Sequence, residues 1–241
     1  MHRKRFSITL ATGLALLFGG AWIAAAVTHP PDINPANFAR YVTNPFFPLP
    51  PGTKFFYEGE KDGVPTSNVT EVTCDTKLIL GVKTTVVHDQ AFDEHGELAE
   101  DTFDWYAQDR DGNVWYFGED TIELATGSTE GSWEAGVDDA DPGLIMEANP
   151  QVGDRYYQEF ARNVAEDQAT VESLDASACI HNQKDCFDHL LLTKETSRLD
   201  PGVVENKYYR ATVGFILGVT VKGGNERSEL VDITTGNCSA R

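Results

Sequence analysis

The spacing of turn signals constrains this chain more than any other feature. Residues 54–59 form a short strand-like run that ends at Lys61-Asp62-Gly63. Residues 83–92 end at Glu94-His95-Gly96. Residues 101–108 end at Asp109-Arg110-Asp111-Gly112-Asn113, and residues 114–117 follow at once. Residues 214–221 end at Lys222-Gly223-Gly224-Asn225, before a last run over 227–233. Asp-Gly and Gly-Gly between apolar runs signal tight hairpins, because glycine tolerates positive φ. A hairpin makes its two strands antiparallel neighbours, so the sheet is a meander. Helical periodicity is missing after the N-terminal segment. A short helix would fit within residues 136–149, but Asp141-Pro142-Gly143 favours a loop. The expectation is an all-β domain over residues 53–241: a strongly curved antiparallel sheet or partly open β-barrel built from hairpins, covered by the 136–149 loop. A hydrophobic content of 41% supports a core, and an aromatic content of 10% suits pleated strands.

The N-terminus indicates where such a domain works. His2-Arg3-Lys4-Arg5 precedes an apolar run over residues 6–27 that closes with Trp22-Ile23-Ala24-Ala25-Ala26. A basic start, an apolar middle and small residues at the end are the parts of a secretory signal. Residues 1–26 read as a signal peptide in helical form, and the mature protein is expected to be periplasmic or secreted. The alternative is an uncleaved membrane anchor, since about 20 apolar residues can span a bilayer. Residues 27–52 are rich in Pro and Asn and read as an extended lead-in, with Phe46-Phe47-Pro48-Leu49 packed on the body. The four cysteines fit export. Cys179 and Cys186 bracket a polar loop, which leaves Cys74 with Cys238; this is the most local of three pairings. Close cysteine pairs of the zinc type are missing. Asn68-Val69-Thr70 and Asn237-Cys238-Ser239 match the glycosylation sequon, which matters only in a eukaryotic secretory pathway.

Charge narrows the partners. Beyond the export segment, 16 basic and 38 acidic residues remain, a net charge of −22. That field repels phosphate backbones and anionic lipid heads, so nucleic acid is not an expected partner. A membrane would be met only through the N-terminal segment. Cations, neutral sugars, basic proteins and apolar molecules stay open, and solubility alone also accounts for the acidity.

Several motifs resemble a family of exported bacterial proteins without an assigned activity. They are Asn44-Pro45-Phe46-Phe47-Pro48-Leu49-Pro50-Pro51-Gly52-Thr53, Asp104-Trp105-Tyr106-Ala107-Gln108-Asp109, Gly112-Asn113-Val114-Trp115-Tyr116-Phe117-Gly118-Glu119 and Gly131-Ser132-Trp133-Glu134-Ala135-Gly136. Lys207-Tyr208-Tyr209 with Val213-Gly214 is similar too. The chain departs from that pattern at Arg210-Ala211-Thr212 and in the segment from Cys179 to Cys186. The tail is weakly similar to periplasmic lipoprotein-carrier proteins, whose incomplete barrels hold acyl chains; that likeness concerns fold.

Serine-hydrolase elbows, zincin motifs, Walker loops and dinucleotide fingerprints are absent from the sequence. Asp109, Asp111 and Asn113 mimic the first ligands of a calcium loop, with Asp120 at its twelfth place. Gly112 is misplaced for that turn, and a hairpin explains the segment. Calcium or another divalent cation remains a candidate cofactor at Asp120, or at Glu159, Glu166 and Asp167 around an Arg162-Asn163 turn. His88 and His189 sit beside Asp89 and Asp188 and read as hydrogen-bonded structural residues. His181 is expected to face water.

The acids among the aromatics are the main candidates. Glu119 is expected across from residues 101–103, and like charges paired across strands need a cation or a proton. Curved sheets with aromatic interiors make cavities. The leading expectation is a binding or carrier protein for an apolar or amphipathic small molecule or lipid. Trp105, Trp115, Tyr116, Phe117 and Trp133 would line the cavity, and Glu119 and Glu134 would orient a polar group. The alternative is a carboxylate-dependent hydrolase or lyase, acting on a glycan or with a divalent cation through Asp104, Glu119 and Glu134. A structural envelope protein is the third.

Overall fold

The computed structural model describes residues 33–236 apart from Asn182, together with Cys238. The expected export segment over residues 1–26 and the Asn237 sequon lie outside the described residues. The strands in chain order are β1 (Thr53–Lys61), β2 (Val64–Ile79), β3 (Val82–Phe92), β4 (Leu98–Gln108), β5 (Val114–Glu123), β6 (Trp133–Glu134), β7 (Gly143–Met146), β8 (Arg155–Tyr157), β9 (Asp167–Ile180), β10 (Asp185–Ser197), β11 (Val204–Arg210), β12 (Gly214–Lys222) and β13 (Arg227–Thr235). Among the described residues the sole helical element is a 3₁₀ turn, Pro35–Asn37.

All thirteen strands join one antiparallel sheet, ordered β6-β5-β4-β3-β2-β1-β13-β12-β11-β10-β9-β8, with β7 on β5. Two meanders, β1 to β6 and β8 to β13, thus meet where the first strand pairs with the last. Thr53 lies opposite Thr235 and Glu60 opposite Arg227. The sheet curves until its ends approach. Asp141 N–H donates to the Phe160 carbonyl at 3.0 Å, but as an isolated bridge, so the sheet is not closed into a barrel.

The hairpins form where the turn chemistry placed them. Asp62 and Gly63 both take positive φ, 54° and 80°, as a two-residue hairpin loop requires. A tight turn at Leu80-Gly81, between β2 and β3, lacked that signal because leucine seldom accepts the φ of 49° found here. At the β4–β5 turn Asp109 accepts from Asn113 N–H at 2.9 Å and Trp115 Nε1–H at 2.9 Å, so its carboxylate is used within the hairpin. Residues 136–149 form loop and β7, with no helix.

Both faces of β4–β5 are buried, and each found a partner. The concave face carries a core that includes Leu49, Phe55, Val72 and Val87. The convex face carries a second core of Trp105, Trp115 and Phe117, closed by Ala135 and Ala140 and by Ile33 and Phe38 from the lead-in; Trp133 joins this core from the other face, opposite Glu119 and edge-on to Tyr116. Burying each large side chain contributes about 1.5–3 kcal/mol, which explains why an otherwise irregular segment lies over it. Asn44 secures the lead-in. Its side chain donates to the carbonyls of Gly112 and Glu147, both at 3.0 Å, and its N–H donates to Gln108 at 2.7 Å. Phe46 and Phe47 pack on the first core, as expected.

Disulfides join Cys74 to Cys238 and Cys179 to Cys186. The shorter loop is anchored by His181, which is half-buried and does not simply face water. Its ring meets Asp185 at 2.5 Å and the Leu230 carbonyl at 3.0 Å, and its N–H donates to Glu229. The Cys74–Cys238 bond spans 164 residues and should restrict the unfolded chain far more than the other, which spans 7. Replacing Cys74 and Cys238 by serine should lower the unfolding free energy by about 2–5 kcal/mol in urea titrations. Replacing Cys179 and Cys186 should cost less; the reverse order would refute the loop-entropy account.

Candidate functional site

Strand alternation and register build an interior of mixed chemistry. Thr53, Phe55 and Tyr57 are the buried residues of β1. Across the sheet Phe55 pairs with Thr70, Thr70 with Asp89, Asp89 with Thr102, and Thr102 with Thr121. The adjacent rung runs Val72, Val87, Asp104, Glu119. Between these rungs and strands β11–β12 of the other meander lies a cavity of about 870 Å³. Its apolar lining includes Phe47, Leu49, Phe55, Val87, Val213 and Phe215, and its polar lining includes Asp89, Asp104 and Tyr106 on one side and Lys207 and Tyr209 on the other. That size and mixture are typical of small-molecule sites.

The carboxyls in and behind this lining are held against ionisation. Asp89 accepts from Asn68 Nδ2 and from Thr70 Oγ1, the latter at 2.8 Å, yet burial lifts it above the ordinary carboxylate range. Asp104 is raised well above that range by burial and then by the charges of Asp89 and Glu119, although the Tyr116 hydroxyl donates to it at 2.5 Å. Glu119 is raised to about 7, chiefly by burial, with the Tyr116 hydroxyl opposing the shift. Glu159 is raised well above its ordinary value by burial, Asp167 and Glu119. Tyr116 therefore stands between two carboxyls, and its ring stacks on Tyr106 with centroids 4.6 Å apart.

Across the cavity, Lys207 Nζ lies 2.8 Å from Glu195 and 3.6 Å from Glu205. Burial pulls the Lys207 pKa down, but the two glutamates outweigh it and raise it well above the ordinary value. Glu195 also accepts from Gln158 at 3.1 Å, Thr193 at 2.9 Å and Tyr209 at 3.3 Å. Gly218 lies opposite Lys207, and a Cβ there would sit 2.7 Å from Glu205 Oε1, so the glycine leaves room for that carboxylate.

The structure joins some of the expected residues and separates others. Asp104 and Glu119 are direct cross-strand partners; the register falls beyond residues 101–103 because it shifts between Asp104 and Tyr106. Glu134 is elsewhere, paired to Lys77 at 2.7 Å, while Lys77 Nζ lies over the Trp105 ring. Trp105, Trp115 and Phe117 belong to the convex core, Trp133 packs edge-on against Tyr116 beside Glu119, and none of the four lines the cavity. Tyr116 is near it only through Asp104 and Tyr106. Asp120 is exposed opposite Phe103, and Glu166 is bound by Arg198 at 3.2 Å. Glu159 and Asp167 are electrostatic neighbours. Among the described residues no group of three or more His, Cys, Asp or Glu is arranged to hold a metal ion. His88 meets Asp101 at 2.6 Å and stacks on Phe103, and His189 meets Asp175 at 2.6 Å. Asp89, Glu195 and Lys207 were not expected as site residues from the sequence. Their signal was parity: Val87 with Asp89, Leu191 and Thr193 with Glu195, and Lys207 with Tyr209 place charge on a buried face.

No family model and no curated protein matches the chain. Among solved structures it is similar to a protein of Bacteroides fragilis predicted to be exported and described as having a YmcC-like fold. The identity is 14% and the TM-score 0.45, over 79% of this chain and 99% of that one. It is also similar to a predicted lipoprotein of Parabacteroides distasonis, at 12% identity and a TM-score of 0.44, over 78% of this chain and 98% of that one. Identity at this level transfers no activity from either protein.

The Glu119 shift has a definite sign. A carboxyl raised from 4.5 to about 7 on folding binds more protons folded than unfolded in that window, so its contribution falls as pH rises. Glu119→Gln removes this penalty. Its stability relative to wild type should grow by on the order of 1–3 kcal/mol across that window, after allowance for partial solvent contact. Urea titrations at both ends check this, and a flat difference would contradict it.

Proposed function

We propose that the mature chain is an exported binding or carrier protein for an apolar or amphipathic small molecule or lipid. The cavity on the concave face carries this reading: its volume is about 870 Å³, and its aliphatic and aromatic lining is interrupted by a few polar groups on either side. Export is supported by the N-terminal segment and by two disulfides, which persist in oxidising compartments. A second reading, a carboxylate-dependent hydrolase or lyase acting on a glycan, is favoured by one observation. Asp104 and Glu119 share Tyr116, and both resist ionisation, as a general acid must near neutral pH. In that case Glu119→Gln abolishes turnover; in the carrier it changes affinity only modestly.

The cavity reading is tested by filling the space. Thr66 and Ala91 line it from β2 and β3. Thr66→Trp and Ala91→Phe should each weaken binding of an environment-sensitive apolar dye by roughly tenfold or more, with thermal unfolding shifted by only a few degrees. Native mass spectrometry of protein from its own compartment should also show an organic mass that is lost on denaturation. Dye binding indifferent to both substitutions would place the ligand outside this cavity.

A further inference from the structure

On the reading that this cavity holds a ligand, we infer that the ligand is a cation: a hydrophobic amine or ammonium compound whose apolar arm lies along the Phe55–Phe215 wall. Three observations point to positive charge. The first is the mouth. Glu58, Asp62, Asp93, Glu94, Glu100 and Glu123 all line the opening, and all but Asp93 are exposed. The lysine there, Lys61, is tied to Glu226 at 3.3 Å. An anionic head would have to pass this set of carboxylates, whereas a cation is drawn in by it.

The second observation is the balance of charge inside. Lys207 is the one basic side chain among the deeper lining residues, and two carboxylates, Glu195 and Glu205, already surround it. A ligand carboxylate or phosphate would have to displace Glu195, which holds Lys207 and three further hydrogen bonds. On the opposite wall, Asp89 and Asp104 have neutral hydrogen-bond partners, Asn68 and Thr70 for the one and Tyr116 for the other. An arriving ammonium group would supply the counter-charge that these side chains lack.

The third observation is the aromatic lining. Phe55, Tyr57, Tyr106, Tyr209 and Phe215 border the space, and the Tyr57 and Phe215 rings lie 5.4 Å apart. Electron-rich ring faces attract cations, most strongly where water is excluded.

Proton release should accompany binding. Asp104 is faced by Asp89 from β3, by Glu119 and Tyr116 from β5, by Tyr106 on its own strand and by Glu159 after β8. A cation bound beside Asp104 favours its ionised form, so one proton leaves as the ammonium enters. Affinity for the cation then rises with pH, while affinity for a neutral analogue does not.

The experiment compares three ligands with one chain length, decylammonium, 1-decanol and decanoate, each below its micelle-forming concentration. Binding to the mature protein is measured by isothermal titration calorimetry at pH 5 and pH 8. Decylammonium should bind roughly tenfold or more tightly than the other two at pH 8, and more tightly there than at pH 5. Asp89→Asn with Asp104→Asn should reduce that preference to within a few-fold, and an unchanged far-ultraviolet circular dichroism spectrum shows that the sheet is intact. Equal or tighter binding of 1-decanol or decanoate would overturn the cation assignment and leave the carrier reading standing. Failure of all three to bind would overturn both.

Discussion

The pairing of β1 with β13 is the constraint on which everything else in this molecule depends. Each meander alone is a curved ribbon with one wet face. Joined at their first and last strands, they present their concave faces to one another, and the cavity lies between them. The bond from Cys74 to Cys238 fastens the same seam, from a neighbouring strand to the chain just beyond β13. Such a contact between chain ends is costly in loop entropy during folding. A covalent closure there offsets some of that cost in the finished protein.

The interior thus formed is more polar than a packed core. Its rungs mix Val72, Val87 and Phe55 with Asp89, Asp104 and Glu119. Burying such carboxyls opposes ionisation. The sheet meets this with nearby hydroxyls and amides, with Tyr116 between two acids, and with Lys207 against Glu195 and Glu205. A protein needing only stability would gain from apolar residues at several of these positions. Their position around open space is the feature on which the proposed binding role rests.

The convex face shows how a reasonable expectation about aromatics goes astray. Trp105, Trp115, Phe117 and Trp133 form the most conspicuous pattern in the sequence, and they serve a second core under the lead-in and the 136–142 loop. Tryptophan-rich strands predict burial well, but not which face is buried or by what. The shift in register after Asp104 changes which residues of β4 and β5 lie opposite one another, so counting outward from the turn misplaces Glu119. Of the residues that do border the cavity, Asp89 stands singly in an ordinary strand context, and Lys207 belongs to a motif that carried no reading as a site.

What the sequence by itself determined was local: the antiparallel hairpins, because Asp-Gly and Gly-Gly turns admit only a few backbone geometries; the all-β class, because period-two runs cannot make amphipathic helices; the packing of the Pro-rich lead-in; and the two disulfide partnerships, given four cysteines and one obvious local pair. The tertiary structure alone decided the rest. It set the meeting of β1 with β13 across almost the whole chain, the choice of face for each aromatic, and the pairing of Asp104 with Glu119. It also enclosed Lys207 by two glutamates and left the space between the meanders unfilled. Each of these depends on contacts between residues far apart in sequence, where no short-range propensity acts and only the curvature and register of the completed sheet bring the groups together.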